Sequence, residues 1–410
     1  MGVLMLGAGL QSTLLGIRAT LEDFPTVVTG IVMACYYAGY LCGTIATPRL
    51  IRNVGHVRVF AALAAVASAA TLVQAVFVRP VPWAVMRLVT GLCFAGIYVV
   101  AESWLNGFAV RTNRSRLLAA YMVVLYVGLG AAQFLLVLSN PATSVPFMLA
   151  SALICLAVVP TLLSTQLNPE LVVTRAVAMS ALYRLSPLGV ASVIVAGVIT
   201  SIIFSIGPVY ARLAGQDTTA IATFMAVNIF AGVVTQYPIG TLADRWDRRA
   251  VIAGVCVVAT AAAVAIVVFP ALPRELFLAL SGTFSGLTLT IYSLGISHVN
   301  DRLEPAQMVS ASSTLLLLNG AAAIFGPVLV TGLMAAHGSS AYFATLATAS
   351  GTLALHCFWR KSQRESVPRF QKGPFISAQP QPCASVSKPP WLGPRPDAPS
   401  LKVERPGTDQ

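Results

Sequence analysis

The sequence predicts an all-α membrane protein with twelve transmembrane helices in two pseudo-symmetric six-helix halves. Three observations predict this class. The chain is 57% hydrophobic and 10% charged, with a mean hydropathy of +0.79. Uncharged apolar runs recur at spanning length: Val59–Val78 and Ala250–Phe269 are 20 residues each, and Thr314–Ala336 is 23. A bilayer core about 30 Å thick takes about 20 helical residues at ~1.5 Å each. Buried helices of a large soluble protein are excluded, because too little polar surface remains to coat such a body. Finally, the chain repeats itself. Tyr98, Ser103 and Asn106 recur 194 residues later as Tyr292, Ser297 and Asn300, and Arg18 and Asp23 recur at the same offset as Arg212 and Asp217. Two related halves follow.

Turns and charges separate the elements in order. Helix 1 covers 1–17. Its opening, MGVLMLGAGLQSTLLGI, lacks a basic leader and runs straight into the span, so no cleavable signal peptide is expected. The span is short, and a start upstream of Met1 would lengthen it. Helices 2 and 3 cover 27–48 and 59–78, with Arg49, Arg52 and Arg58 near their turn. Helices 4 and 5 cover 83–106 and 117–138, joined through Arg111, Arg114 and Arg116. Helix 6, 145–163, closes a first half of 1–165, and a linker of 166–186 carries Arg175 and Arg184. The second half, 187–359, holds helices at 187–211, 218–242, 250–269, 276–298, 312–336 and 340–359. Arg245, Arg248 and Arg249 lie between helices 8 and 9, and Arg302 lies between helices 10 and 11.

These loops set an orientation. With the N-terminus in the cytoplasm, twelve loop arginines fall inside and four (Arg18, Arg79, Arg212, Arg274) fall outside. That is a positive-inside pattern, and it puts both termini in the cytoplasm. It also accounts for the net charge of +12, so the bilayer, and not nucleic acid, is the expected partner. The tail, 360–410, carries 9 Lys/Arg against 4 acids, and its ten prolines without apolar periodicity predict a disordered basic segment. Six of the seven cysteines sit in or beside apolar segments and none forms a CxxC, so they read as small hydrophobes. No metal ligand set, nucleotide loop or activated nucleophile is present in the sequence, so neither a cofactor nor an enzyme is expected.

One stretch stands out: GTLADRWDRR, 240–249, concentrates charge in an oily chain. Gly240, Asp244, Arg245, Arg248 and Arg249 between two spans resemble the inner-loop signature of the major facilitator superfamily. A partial copy follows helix 2 as Pro48, Arg52, Gly55, His56 and Arg58, where the usual Gly is Pro48 and the usual Asp is Arg52. Arg87 and Gly91 are similar to the superfamily's helix 4 motif. The phrases ESWLN (102–106) and YSLGISHVND (292–301) look like its YcaD-like branch, a group of bacterial transporters. The resemblance covers 1–359 and implies a secondary transporter of the bacterial inner membrane, working as a monomer on a small-molecule substrate.

Two sets of site residues follow. At the inner face, Asp244, Arg245, Arg248, Arg249 and Asp301 are expected to form an ionic latch, with Arg52, Arg58 and Glu102 as its counterpart in the first half. In the membrane, where charge costs roughly 2.5–3.5 kcal/mol on insertion scales, Arg87 is the basic residue inside a span. It shares a helix face with Tyr98 and Glu102. Arg87 is expected to hold a carboxylate or similar anion. The resemblance places helices 1, 4, 7 and 10 around a central cavity, so Tyr98, Tyr292, Gln11, Ser285 and Thr288 are expected to shape the pocket. Gln133 and Asn319, on helices 5 and 11, are further candidates. Proton coupling, implied by the resemblance, would fall to Glu102 and His298. Two rival readings are an exporter of amphipathic or toxic compounds and a non-transporting receptor or assembly factor on the same scaffold.

Overall fold

The structure, a computed structural model, describes residues 1–108, 114–163, 178–303 and 305–363. Arg111, Arg175 and most of the tail lie outside the described residues. The described chain is helical, and eleven of its helices are long and apolar enough to cross a membrane. A twelfth, Ala341–Gln363, has the length but carries His356 and several hydroxyls, which lower its hydropathy. It packs as a span nonetheless. Ser350 meets Thr260 at 2.9 Å on span 9, and Tyr342 stacks on Tyr210 of span 7 at 4.5 Å.

Span 1 is Gly2–Leu21, span 2 Thr26–Val54, span 3 His56–Val76, span 4 Pro80–Phe108 and span 5 Arg114–Leu135. Span 6 is Val145–Leu156 with a further turn at Val159–Leu162. A short helix, Met179–Leu185, precedes span 7, Pro187–Leu213. Spans 8 and 9 are Thr218–Arg245 and Arg248–Val268, and span 11 is Pro305–His337. Span 1 is longer than the sequence suggests. Arg18 sits on its last turn rather than in a loop, paired with Glu22 at 2.6 Å and donating to the Pro141 carbonyl at 3.3 Å.

Span 10 departs from expectation in another way. It is broken into Arg274–Thr288 and Ile291–Asn300. No proline causes the break. At the break the Thr288 and Thr290 hydroxyls bond back to the Phe284 and Leu287 carbonyls, at 2.8 and 2.7 Å. The two residues between the segments, Leu289 and Thr290, keep right-handed dihedrals, the Thr290 amide bonding to the Leu287 carbonyl at 3.1 Å, and Leu289 lines a cavity.

The buried apolar residues form three clusters. One draws on both halves toward the Asp23 and Asp217 turns, joining Leu14, Ile17 and Trp83 to Ile206, Phe224 and Tyr342. Toward the opposite face each half has its own core. Phe60, Phe94 and Ile97 belong to the first, and Val193, Ile252 and Leu294 to the second. The halves are therefore joined on one side and separately packed on the other.

Candidate functional site: a central cavity and a charged turn

Between the halves lies a cavity of about 180 Å³. The first half lines it with Gln11, Tyr36, Tyr40, Arg87, Tyr98 and Gln133, and the second with Ser201, Phe204, Leu289, Tyr292 and Asn319, among others.

Arg87 is 2% exposed. It does not run out to the membrane surface. Its guanidinium carbon lies 4.4 Å from the centre of the Tyr36 ring, a cation–π contact. Among the described residues it forms no ion pair, and its Nε has no hydrogen-bond partner. The ring is placed by the packing of spans 2 and 4. A Cβ on Gly39 would collide with the Leu88 carbonyl, and one on Gly91 with the Tyr36 carbonyl. Small residues let two membrane helices approach backbone to backbone, and that approach sets Tyr36 over Arg87.

The amides are held by neighbours. Gln11 Nε2 donates to Gln74 Oε1 at 2.8 Å, Thr13 donates to Gln133 Oε1 at 2.7 Å, and Asn319 Nδ2 donates to the Val193 carbonyl at 2.9 Å. Tyr98 turns its hydroxyl to the Met5 sulfur at 3.3 Å. Six of the eight pocket residues named from sequence thus line the cavity. Ser285 and Thr288 do not. Their face of span 10 packs on span 8, where Gly282 and Gly286 meet Val227 and Ala231, and Ser285 donates to Asn228 Oδ1 at 2.8 Å.

The charged turn is partly assembled. Arg248, the first residue of span 9, lies 2.8 Å from Asp301 and 3.5 Å from Asp244, and donates to the Ser297 carbonyl. Arg249 pairs with Asp247 at 3.2 Å. Asp247 caps span 9, accepting from the Arg249 amide at 3.1 Å. Arg245 is exposed, with no ion pair among the described residues. Arg52 and Arg58 are also exposed, and the pairing with Glu102 expected of them does not form. With Arg52 standing where the motif has Asp, no carboxylate in that turn draws them inward. His56, the first residue of span 3, fills the corresponding place, its Nε2 2.8 Å from Ser103 Oγ. Glu102 is buried on span 4. His298 lies 2.7 Å from Arg302, which also donates to Ser186 at 3.2 Å.

A sequence profile described as Major Facilitator Superfamily matches residues 1–287 and, in a second overlapping match, 188–399. The chain belongs to this superfamily. The chain is 29% identical over 352 residues to the "Uncharacterized MFS-type transporter YcaD" of Escherichia fergusonii, covering 85% of this chain and 90% of that one. A second relative, an MFS-type transporter of Enterobacter sp. strain 638, is 29% identical over 350 residues, with 84% and 90% covered. Among solved structures, the nucleoside transporter NupG superposes with a TM-score of 0.68 at 14% identity, covering 87% of this chain and 96% of that one. A bacterial homologue of the human lysosomal transporter Spinster, solved inward-facing and unoccupied, gives 0.66 at 13% identity, with 88% and 93% covered. At such identities the superpositions speak for the fold alone. The chain is a multi-pass membrane protein and a secondary transporter.

Sequence reasoning missed one group in this superfamily member's cavity: Tyr36, Tyr37 and Tyr40 of span 2. The signal was there in CYYAGY, three tyrosines within five residues of an apolar span, interleaved with the close-packing Gly39.

Proposed function

We propose that this transporter moves a small organic anion across the bacterial inner membrane by alternating access, with Arg87 as its charge-recognition group. One observation carries the reading: a buried guanidinium lines the cavity between the halves and has no carboxylate partner among the described residues. Leaving a cation unpaired in the membrane is costly, and an anionic ligand would supply the missing charge. Tyr98, Tyr292, Gln11, Gln133 and Asn319 shape the site around it.

The two halves, 1–165 and 187–359, rock about this cavity, linked through the cytoplasmic segment 166–186. A core shared on the Asp23–Asp217 side and divided on the Arg248 side supports a state closed outside and open inside. The Arg248, Asp244 and Asp301 cluster steadies the second half at its cytoplasmic end during that movement. Protons couple through Glu102 and His298, both termini are cytoplasmic, and the unit is a monomer.

Thermal shifts of detergent-purified protein test the reading. Small carboxylates should stabilise the wild type and lose that effect in Arg87→Ala. Stabilisation by hydrophobic cations alone, unchanged in the variant, would overturn it and favour an exporter of amphipathic compounds.

A further inference from the structure

We infer that the anion is a monocarboxylate built on a single aromatic ring, held at its charged end by Arg87 and along its body by the rings of spans 2 and 4. The inference rests on the anion reading above and deepens it.

Charge comes first. Among the described residues that line the cavity, Arg87 is the one with a formal charge. A planar guanidinium presents paired donors that match a carboxylate. One cation neutralises one negative charge. A dianion would bring a second charge into a low-dielectric site with no partner for it, which is costly. The Tyr36 ring under the guanidinium also lines the cavity and is neutral.

The wall next to Arg87 is the second observation. Tyr37 and Tyr36 have ring centroids 5.4 Å apart, Tyr36 and Phe94 6.5 Å, Phe94 and Tyr98 6.5 Å, and Tyr98 and Tyr40 6.3 Å. All fall within the roughly 4.5–7 Å range of interacting rings. These five rings form one continuous surface with Arg87 over one of them. Across the cavity stand Phe204 and Leu289, which offer apolar contact and no charge. A solute bound by its carboxylate to Arg87 lays its body along this surface. An aromatic body gains ring–ring contacts there that an aliphatic body of the same size does not.

Aromatic surfaces also attract cations. Here that place is taken. Arg87 already sits on Tyr36, and its charge disfavours a second cation beside it. Size is the third observation. A cavity of about 180 Å³ is small beside the roughly 300–1,000 Å³ of sites for drug-sized ligands, so one ring fits better than several.

Four probes on the intact purified protein test this by titration calorimetry: benzoate, cyclohexanecarboxylate, phthalate and benzylamine. Benzoate should bind roughly three- to tenfold tighter than cyclohexanecarboxylate and tighter than phthalate, and benzylamine should not bind. Tyr98→Leu should weaken benzoate more than cyclohexanecarboxylate and so remove the ring preference. Arg87→Gln should abolish binding of all three acids, and Arg87→Lys, which keeps the charge if Arg87→Gln does not fold, should weaken them. Equal binding of benzoate and cyclohexanecarboxylate, both lost without Arg87, would overturn the aromatic inference and leave the anion reading standing. Phthalate binding tighter than benzoate would overturn the single charge. Binding of benzylamine alone, or of no probe, would overturn both readings.

Discussion

Arg248 and Asp301 stand 2.8 Å apart, with their side chains 1% and 3% exposed. The pair ties the start of span 9 to the end of span 10. In the first half, His56 and Ser103 make the same tie between spans 3 and 4 with a neutral hydrogen bond of 2.8 Å. Ser103 and Ser297 are related by the internal repeat, and Ser297 is the residue whose carbonyl accepts from Arg248. Duplicated halves thus keep the contact and change its chemistry.

Removing one partner of a buried ion pair leaves an uncompensated charge and costs about 3–5 kcal/mol. Asp301→Ala and Arg248→Ala should each lower thermal stability strongly. The double variant should fall well short of the sum of the two, because the charge it leaves, Asp244, is exposed rather than buried. Arg52→Ala and Arg58→Ala, at exposed positions, should stay within about 0.5 kcal/mol of wild type. Unfolding temperatures in detergent decide this, and a large loss in Arg52→Ala would show that an interaction of its own holds that turn.

The meeting of spans 2 and 4 makes a steric prediction. Gly39→Leu puts a side chain where the Leu88 carbonyl lies, so the helices must part and Tyr36 must leave Arg87. Folded yield should collapse. Gly254→Ala, on a face of span 9 with nothing within 4 Å of the new atom, should be neutral or stabilising by up to about 1 kcal/mol through helix propensity. Fluorescence-detected size-exclusion profiles of the two variants compare them directly.

These contacts mark the limits of what the sequence discloses. Apolar length and loop arginines locate the spans, because the bilayer imposes both, and the repeat of Tyr98 with Tyr292 announces two halves. Arg87 is conspicuous because a charge inside a span is costly. The aromatic wall is not conspicuous in that way, since tyrosines in a span look like ordinary core until a neighbouring helix shows which side they face. Ser285 illustrates the converse. It lies on a polar stripe that reads as pocket-facing, but Gly282 and Gly286 beside it let span 8 pack there instead. Nor does hydropathy register the break in span 10, where Thr288 and Thr290 bond back to the Phe284 and Leu287 carbonyls.

That break carries its own prediction. It lies beside Leu289 and Tyr292, both lining the cavity. Thr288→Ala with Thr290→Ala removes the hydroxyls that bond back to helix carbonyls and should favour a continuous span. Transport turnover should fall several-fold while thermal stability holds or rises, the pattern expected when a conformational step limits turnover. Unchanged turnover in proteoliposomes would show that the break takes no part in the cycle.

Alternating access requires the joined side of the bundle to separate. Spans 1 and 7 meet there: a Cβ on Gly16 would lie 3.1 Å from that of Pro208. Disulfides form at Cβ separations of about 3.5–4.5 Å, so Gly16→Cys with Pro208→Cys should cross-link after a slight adjustment. The test uses protein whose native cysteines are replaced by alanine. Oxidation should lock the joined ends of the halves together and reduce transport to a few per cent, and a reductant should restore it. The single variants should not respond to oxidant. A cross-linked protein that transports at the unmodified rate would mean that spans 1 and 7 stay together throughout the cycle, and the rocking of the halves about the Arg87 cavity would have to be abandoned.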